Sequence, residues 1–177
     1  MKQNATLDSS FWINAHRSRL LPHILERFAI HYAPAVAAEL SLNFASGREF
    51  WRLVGEGVLT EAVPQVDEVR ALGSGERAAM NLALEHPDWV LLVDDRRPLI
   101  EAQRMGLKTL CTPVLMVDLF EKGQWRLQDA VQSLARLAAM QTVSPPLLEA
   151  ALAQLEVVRR GKEESHGDEE ADHLGEA

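Results

Sequence analysis

A single cysteine, Cys111, in 177 residues excludes a disulfide within the chain and any cysteine-rich metal site. Long apolar runs are missing too. No stretch approaches the ~20 consecutive apolar residues of a membrane-spanning helix, and the opening MKQNATLDSS lacks the apolar core of a secretory signal. The expectation is a soluble, cytoplasmic protein with no membrane partner and a buried Cys111 thiol.

Positive charge is scarce: 18 Lys and Arg face 26 Asp and Glu. Six of the eight net negative charges fall in residues 161–177, where seven acids face Lys162 alone. The body is therefore close to neutral and does not advertise a polyanion partner through net charge, so nucleic-acid contact would rest on a local basic patch. Phosphate-loop signatures are absent, since GSGER at 73–77 matches neither GxGxxG nor GxxxxGK[ST]. The six histidines show no metal-ligand spacing, no Ser-His-Asp or Cys-His arrangement stands out, and no internal repeat is visible.

What the chain does have is apolar content, at 47%, and a length suited to one core that buries roughly 70% of the unfolded surface. The most organised stretch is 72–111. Gly73-Ser74-Gly75 opens a helix from about Glu76 to Glu85, and His86-Pro87 stops it. Trp89 to Val93, apolar at every position, reads as a buried strand that ends abruptly in Asp94 and Asp95. A helix from about Pro98 to Met105 follows, with Gly106 in the left-handed position after it, and Lys108 to Cys111 forms a further strand.

Upstream, Ala5 to Leu7 make a short first strand running into Asp8, Ser9 and Ser10. Apolar residues then recur at helical spacing to Phe28, with Ser9 or Ser10 placed to cap the first turn. Pro22 inside that pattern means either a kink or a second helix start. Phe28 to Tyr32 reads as a second strand, Pro34 opens a helix containing Glu39, residues 44–54 are helical, and Leu59 to Val63 forms a short edge strand. Beyond Pro113 three helices are expected over 114–121, 127–140 and 145–159, serving either the core or a partner surface. This alternation predicts an α/β domain over 1–160 with a central parallel sheet and extra C-terminal helices, and a disordered acidic tail over 161–177.

Five acids merit attention, because each follows a strand or opens a helix after one: Asp8, Glu39, Glu76, Asp94 and Asp95. In a parallel sheet such positions face one edge, where ligands bind. Taken singly, each has an ordinary reading as a cap, a complement to the helix dipole or a solvated side chain. Crowded together they repel one another unless a cation compensates, and oxygen-only donors suit Mg²⁺ or Mn²⁺. Such a site activates water for in-line attack on a phosphodiester without a side-chain nucleophile. Arg96 and Arg97, directly after the acidic pair, are placed to hold RNA phosphates.

With these residues placed, four stretches resemble the PIN-domain nucleases, specifically the VapC-like toxins of toxin-antitoxin pairs: LDSSFWIN, YAPAVAAEL, LGSGERAAMNLALE and VLLVDDRRPLIEAQRMGLKTLCTPVLMVDLFEKG. MQTVSPPLLEAALAQL is similar to the terminal helix of one PIN-like subgroup. The resemblance implies a three-layer α/β/α sandwich, metal-dependent RNA cleavage and an antitoxin partner, and the partner surface open to the trailing helices is that of a homodimer or of the antitoxin. It implies Asp8, Glu39, Glu76 and Asp94 as the acidic set on Mg²⁺ or Mn²⁺, with Asp95 replacing or assisting Asp94; Ser10 joins Arg96 and Arg97 as the expected substrate contacts. The other reading is a PIN-like module that binds RNA or a protein without cutting. Position 73 is Gly where the subgroup often has Asp, position 76 is Glu where many PIN nucleases have Asp, and position 99 is Leu where a basic residue is common.

Overall fold

The computed structural model describes residues 1–173, with side chains through 163. It divides into two compact units, 1–112 and 113–177.

The first unit is built on five parallel strands: β1 Gln3–Leu7, β2 Phe28–Tyr32, β3 Thr60–Glu61, β4 Val90–Leu92 and β5 Thr109–Leu110. They lie in the order β3-β2-β1-β4-β5, so the winding direction reverses between β1 and β4. A crevice forms at such a reversal beyond the carboxyl ends of the strands. Ala5, Thr6 and Leu7 on β1 and Leu91 and Leu92 on β4 are fully buried, as central strands of a covered parallel sheet must be. Leu7 pairs with Leu92, and the Asp8 amide donates to the Leu92 carbonyl at 3.2 Å. The chain therefore leaves the sheet at Asp8 and at Asp94 within one residue of the same level.

Helices α1 Ser9–Arg17, α2 Leu21–Arg27, α3 Pro34–Glu39, α4 Ala45–Gly55, α5 Ser74–Glu85 and α6 Arg96–Arg104 flank the sheet. Arg19 sits at φ 61° between α1 and α2, and Pro22 lies in the first turn of α2. Of the two expectations for Pro22, the fresh helix start is the one found. Gly106 sits at φ 73° after α6, in the left-handed position read from the sequence.

Trp12 on α1 donates its indole N–H to the Ser46 carbonyl at 2.8 Å, and its ring meets Phe50 of α4 edge to face. Tyr32 at the end of β2 meets the same Phe50 ring at 5.0 Å between centroids. Phe50 thereby ties α1, α4 and β2 into one aromatic core, each such ring contributing about 1.5–3 kcal/mol by burial. The expected edge strand over 59–63 shrinks to Thr60–Glu61, both exposed. Pro64 has no N–H to extend the ladder.

The second unit is helical: α7 Thr112–Glu121, whose first residue closes the first unit, α8 Leu127–Met140 and α9 Pro145–His173. Ala130, Leu134 and Leu137 of α8 and Leu148, Ala151 and Leu155 of α9 form the buried stripes. Gln141 at φ 53° ends α8. Helix α9 runs beyond the expected end at Arg159, helped by Arg159 pairing with Glu156 at 2.7 Å and Glu163 at 2.5 Å, three and four residues away. Residues 161–173 of the expected tail are thus helical, and 174–177 lie outside the described residues. Among the described residues no helix is long and apolar enough to cross a membrane.

Candidate metal centre

Asp8 is the N-cap of α1. Its Oδ1 accepts the Phe11 amide at 2.7 Å, which fixes the carboxylate at the end of β1. The residue is 1% exposed, and its second oxygen, Oδ2, is buried with no hydrogen-bond partner. Burial pushes the Asp8 carboxyl well above the usual range, opposed by the Phe11 amide and reinforced by the charges of Asp94, Asp95 and Glu76.

Glu76 stands in the first turn of α5, where Oε2 accepts the Gly73 amide at 2.8 Å. Asp95 is the N-cap position of α6, and its Oδ2 accepts the Ser10 hydroxyl at 2.8 Å. One carboxylate oxygen from each of Asp8, Glu76 and Asp95 lies within 4.8 Å of the others. Two strand-to-helix junctions and the first turn of α5, remote in sequence, thus deliver three carboxylates to one place.

Asp94 and Glu39 do something else. Asp94 is fully buried, with Oδ1 accepting the Thr112 amide at 2.7 Å and Oδ2 accepting both Asn14 Nδ2 at 2.7 Å and Thr112 Oγ1 at 2.8 Å. Burial raises its pKa, while those three donors pull it down and Asp95 pushes it up. Its oxygens tie α1 and the end of β4 to Thr112, two residues after β5. Glu39, at the end of α3, accepts Ser9 Oγ at 2.6 Å, Ser74 Oγ at 3.0 Å and the Gly75 amide at 2.9 Å. It clasps the start of α1 to the start of α5, one residue before Glu76. A Cβ at position 75 would lie 2.5 Å from Glu39 Oε2, so any larger residue there would have to displace the Glu39 carboxylate from this position.

Of the five acids read from the sequence, the geometry brings together Asp8, Glu76 and Asp95. Asp94 and Glu39 spend their oxygens on neighbouring donors. Ser10, expected at the substrate, holds Asp95. Arg96 and Arg97 occupy the exposed first turn of α6, and among the described residues neither pairs with an acid. Asn14 and Thr112 were not singled out from the sequence; Ser9 and Ser10, expected as caps of the first helix, instead donate to Glu39 and Asp95 while Asp8 caps it, and Ser74 was read only as part of a turn. Asn14 carried a signal, a polar residue four after Ser10 on a helix otherwise buried through Phe11, Trp12 and Ala15.

The residues present fit a divalent cation. The donors are all oxygen, three carboxylates converge with no cationic side chain bonded to them among the described residues, and Asp8 Oδ2 is an acceptor with nothing to accept. A hard cation would satisfy that oxygen and offset the repulsion.

A family model described as a PIN domain matches residues 6–157. No curated protein matches the sequence. Among solved structures, that of the PIN domain endonuclease Utp24 is similar, at 12% sequence identity and a TM-score of 0.48, covering 62% of this chain and 84% of the other.

Proposed function

The chain belongs to the PIN-domain family, and from that premise we propose that it is a metal-dependent ribonuclease that hydrolyses RNA phosphodiester bonds, acting as the toxin of a toxin-antitoxin pair. The observation that carries the nuclease reading is the unpartnered Asp8 Oδ2 among the converging carboxylates of Asp8, Glu76 and Asp95. A cation held there, Mg²⁺ or Mn²⁺, supplies Lewis acidity toward water and offsets the charge of the phosphodiester.

The chain's own residues do the rest. Asp8, Glu76 and Asp95 are the ligands, and the Phe11 amide, the Gly73 amide and the Ser10 hydroxyl orient them. Asp94 and Glu39 act one step back, fixing the junctions from which the ligands project. Arg96 and Arg97 lie one and two residues after Asp95, on the exposed turn beside the centre, and hold the substrate phosphate by charge-assisted hydrogen bonds.

The test is hydrolysis of mixed RNA with Mn²⁺, with chelator, and by the Asp8→Asn and Asp95→Asn variants. Cleavage that requires the cation and disappears in both variants supports the reading. Cleavage that persists in both contradicts it. The toxin role implies a partner protein held in complex, and its check is growth arrest on expression that the product of a neighbouring gene relieves.

A further inference from the structure

A cavity of about 290 Å³, at the small end of the size range of ligand pockets, is lined by residues that neighbour the carboxylate centre along the chain. Its walls are the strap of residues 68–72 and one side of α6. Glu68, Arg70 and Leu72 line it from the strap, and Arg97, Glu101 and Met105 from the helix. Both walls run directly into the centre. Leu72 precedes Gly73, whose amide is hydrogen-bonded to Glu76, and Arg97 is two residues past Asp95, no more than about 7 Å along the chain.

The strap is pinned rather than loose. Asn81 of α5, 4% exposed, accepts the amides of both Glu68 and Val69 through its Oδ1 at 3.2 Å. A buried polar side chain spent on two strap amides holds that wall against α5. Among the described residues Arg70 and Arg97 pair with no acid, and Glu68 makes no side-chain ion pair. Glu101 has only a long 3.7 Å contact to the exposed Arg104.

We propose that this cavity is the subsite for the nucleobase next to the scissile phosphate, and that it selects guanine; this rests on the nuclease reading above for the identity of the phosphate. The lining chemistry carries the choice. Carboxylates only accept, and guanine alone among the RNA bases presents two adjacent donors, N1–H and the N2 amino group, to one carboxylate. The Arg70 guanidinium only donates, and guanine O6 and N7 are the matching acceptors, which leaves Arg97 for the phosphate. Leu72 and Met105 supply apolar surface for the ring faces. Uracil offers one donor between two acceptors and mismatches both sets.

The test separates the pocket from the catalysis. Guanosine, adenosine, cytidine and uridine 5′-monophosphates are titrated calorimetrically into the whole chain with chelator present, and cut sites are mapped separately on random-sequence RNA with Mn²⁺. The guanosine nucleotide is expected to bind about tenfold more tightly than the uridine nucleotide, and Glu68→Gln with Glu101→Gln to bring the two within about twofold. An Asn81→Leu variant, which frees the strap, is expected to weaken the same preference. Equal binding of all four nucleotides, or a preference that survives in the double variant, overturns the proposal. RNA cut without guanine at the cleavage position overturns it while the nuclease reading stands. Selective guanosine binding by a chain that cuts no RNA supports the subsite and removes the nuclease reading.

Discussion

The carboxylate of Glu39 accepts the amide of Gly75 at 2.9 Å, and its Oε2 occupies the space where a Cβ at 75 would stand, 2.5 Å away. One acid at the end of α3 thus sets the start of α5, and the next residue in the chain is a ligand of the proposed centre. Gly75→Ala is expected to push the exposed Glu39 carboxylate aside at a cost of about 1 kcal/mol or less, and to weaken Mn²⁺ binding through displacement of Glu76. Urea unfolding and Mn²⁺ titration on the same variant check both effects. Unchanged cation affinity would separate the clasp from the centre.

Asp94 and Asp8 are expected to respond in opposite directions to the same change. Asp94→Asn presents an amide where Asp94 accepts from Thr112 and Asn14, so it leaves buried donors unsatisfied and lowers stability by about 1–3 kcal/mol. Asp8→Asn keeps the oxygen that caps α1 and removes a buried charge crowded by Asp94, Asp95 and Glu76. In chelator it should melt higher than the parent, by roughly 2–4 °C for each kcal/mol of repulsion relieved. It should also lose the rise in melting temperature that Mn²⁺ gives the parent. Thermal melts with and without Mn²⁺ read out all of these.

His31 gives the fold a pH dependence of its own. Its ring stacks on Trp89 at 4.3 Å, Trp89 stacks on His86 at 3.9 Å, and His31 Nε2 lies 3.2 Å from Asn4 Oδ1. Burial first, and then the nearby His86, lower the His31 pKa from 6.5. A depressed histidine favours the neutral form in the folded state. Its contribution is therefore present above about pH 6.5 and lost as pH falls through the lowered folded value. His31→Phe, which keeps an aromatic ring for the stack, is expected to flatten the fall in stability below pH 6.5. Urea midpoints from pH 7.5 to 5 for the parent and variant check the difference.

Phe50 is the point where the aromatic core concentrates, meeting Trp12, Tyr32 and Trp51 edge to face. Phe50→Ala should cost about 3–5 kcal/mol, the largest single loss named here, and appear as a shifted denaturation midpoint.

Much of the frame was legible in the sequence because its signals are local. FAIHY over 28–32 and the stripe over 127–140 have the boundaries expected from alternation and helical period. The end of β1 at Asp8 followed from an apolar run meeting a capping residue. The roles of the acids were less legible because they depend on remote donors. Asp94 and Asp95 are neighbours in extended chain, so their side chains point opposite ways. Asn14, eighty residues before, and Thr112, eighteen after, engage the first, and Ser10 engages the second. Glu39 reads as a ligand in a list of acids and as a clasp only when Ser9, Ser74 and Gly75 are beside it. The reach of α9 past Arg159 depends on ion pairs that a composition rule weighs only as charge.

The most direct measurement is Mn²⁺ binding, followed by electron paramagnetic resonance, for the parent and for the Asp8→Asn, Glu76→Gln, Asp95→Asn and Arg96→Ala chains. The account expects binding by the parent, a loss of about tenfold or more in each of the three carboxylate variants, and parent-like affinity in Arg96→Ala. Binding that survives in Asp8→Asn and Asp95→Asn alike, or no binding by the parent, would contradict a cation centre at Asp8, Glu76 and Asp95.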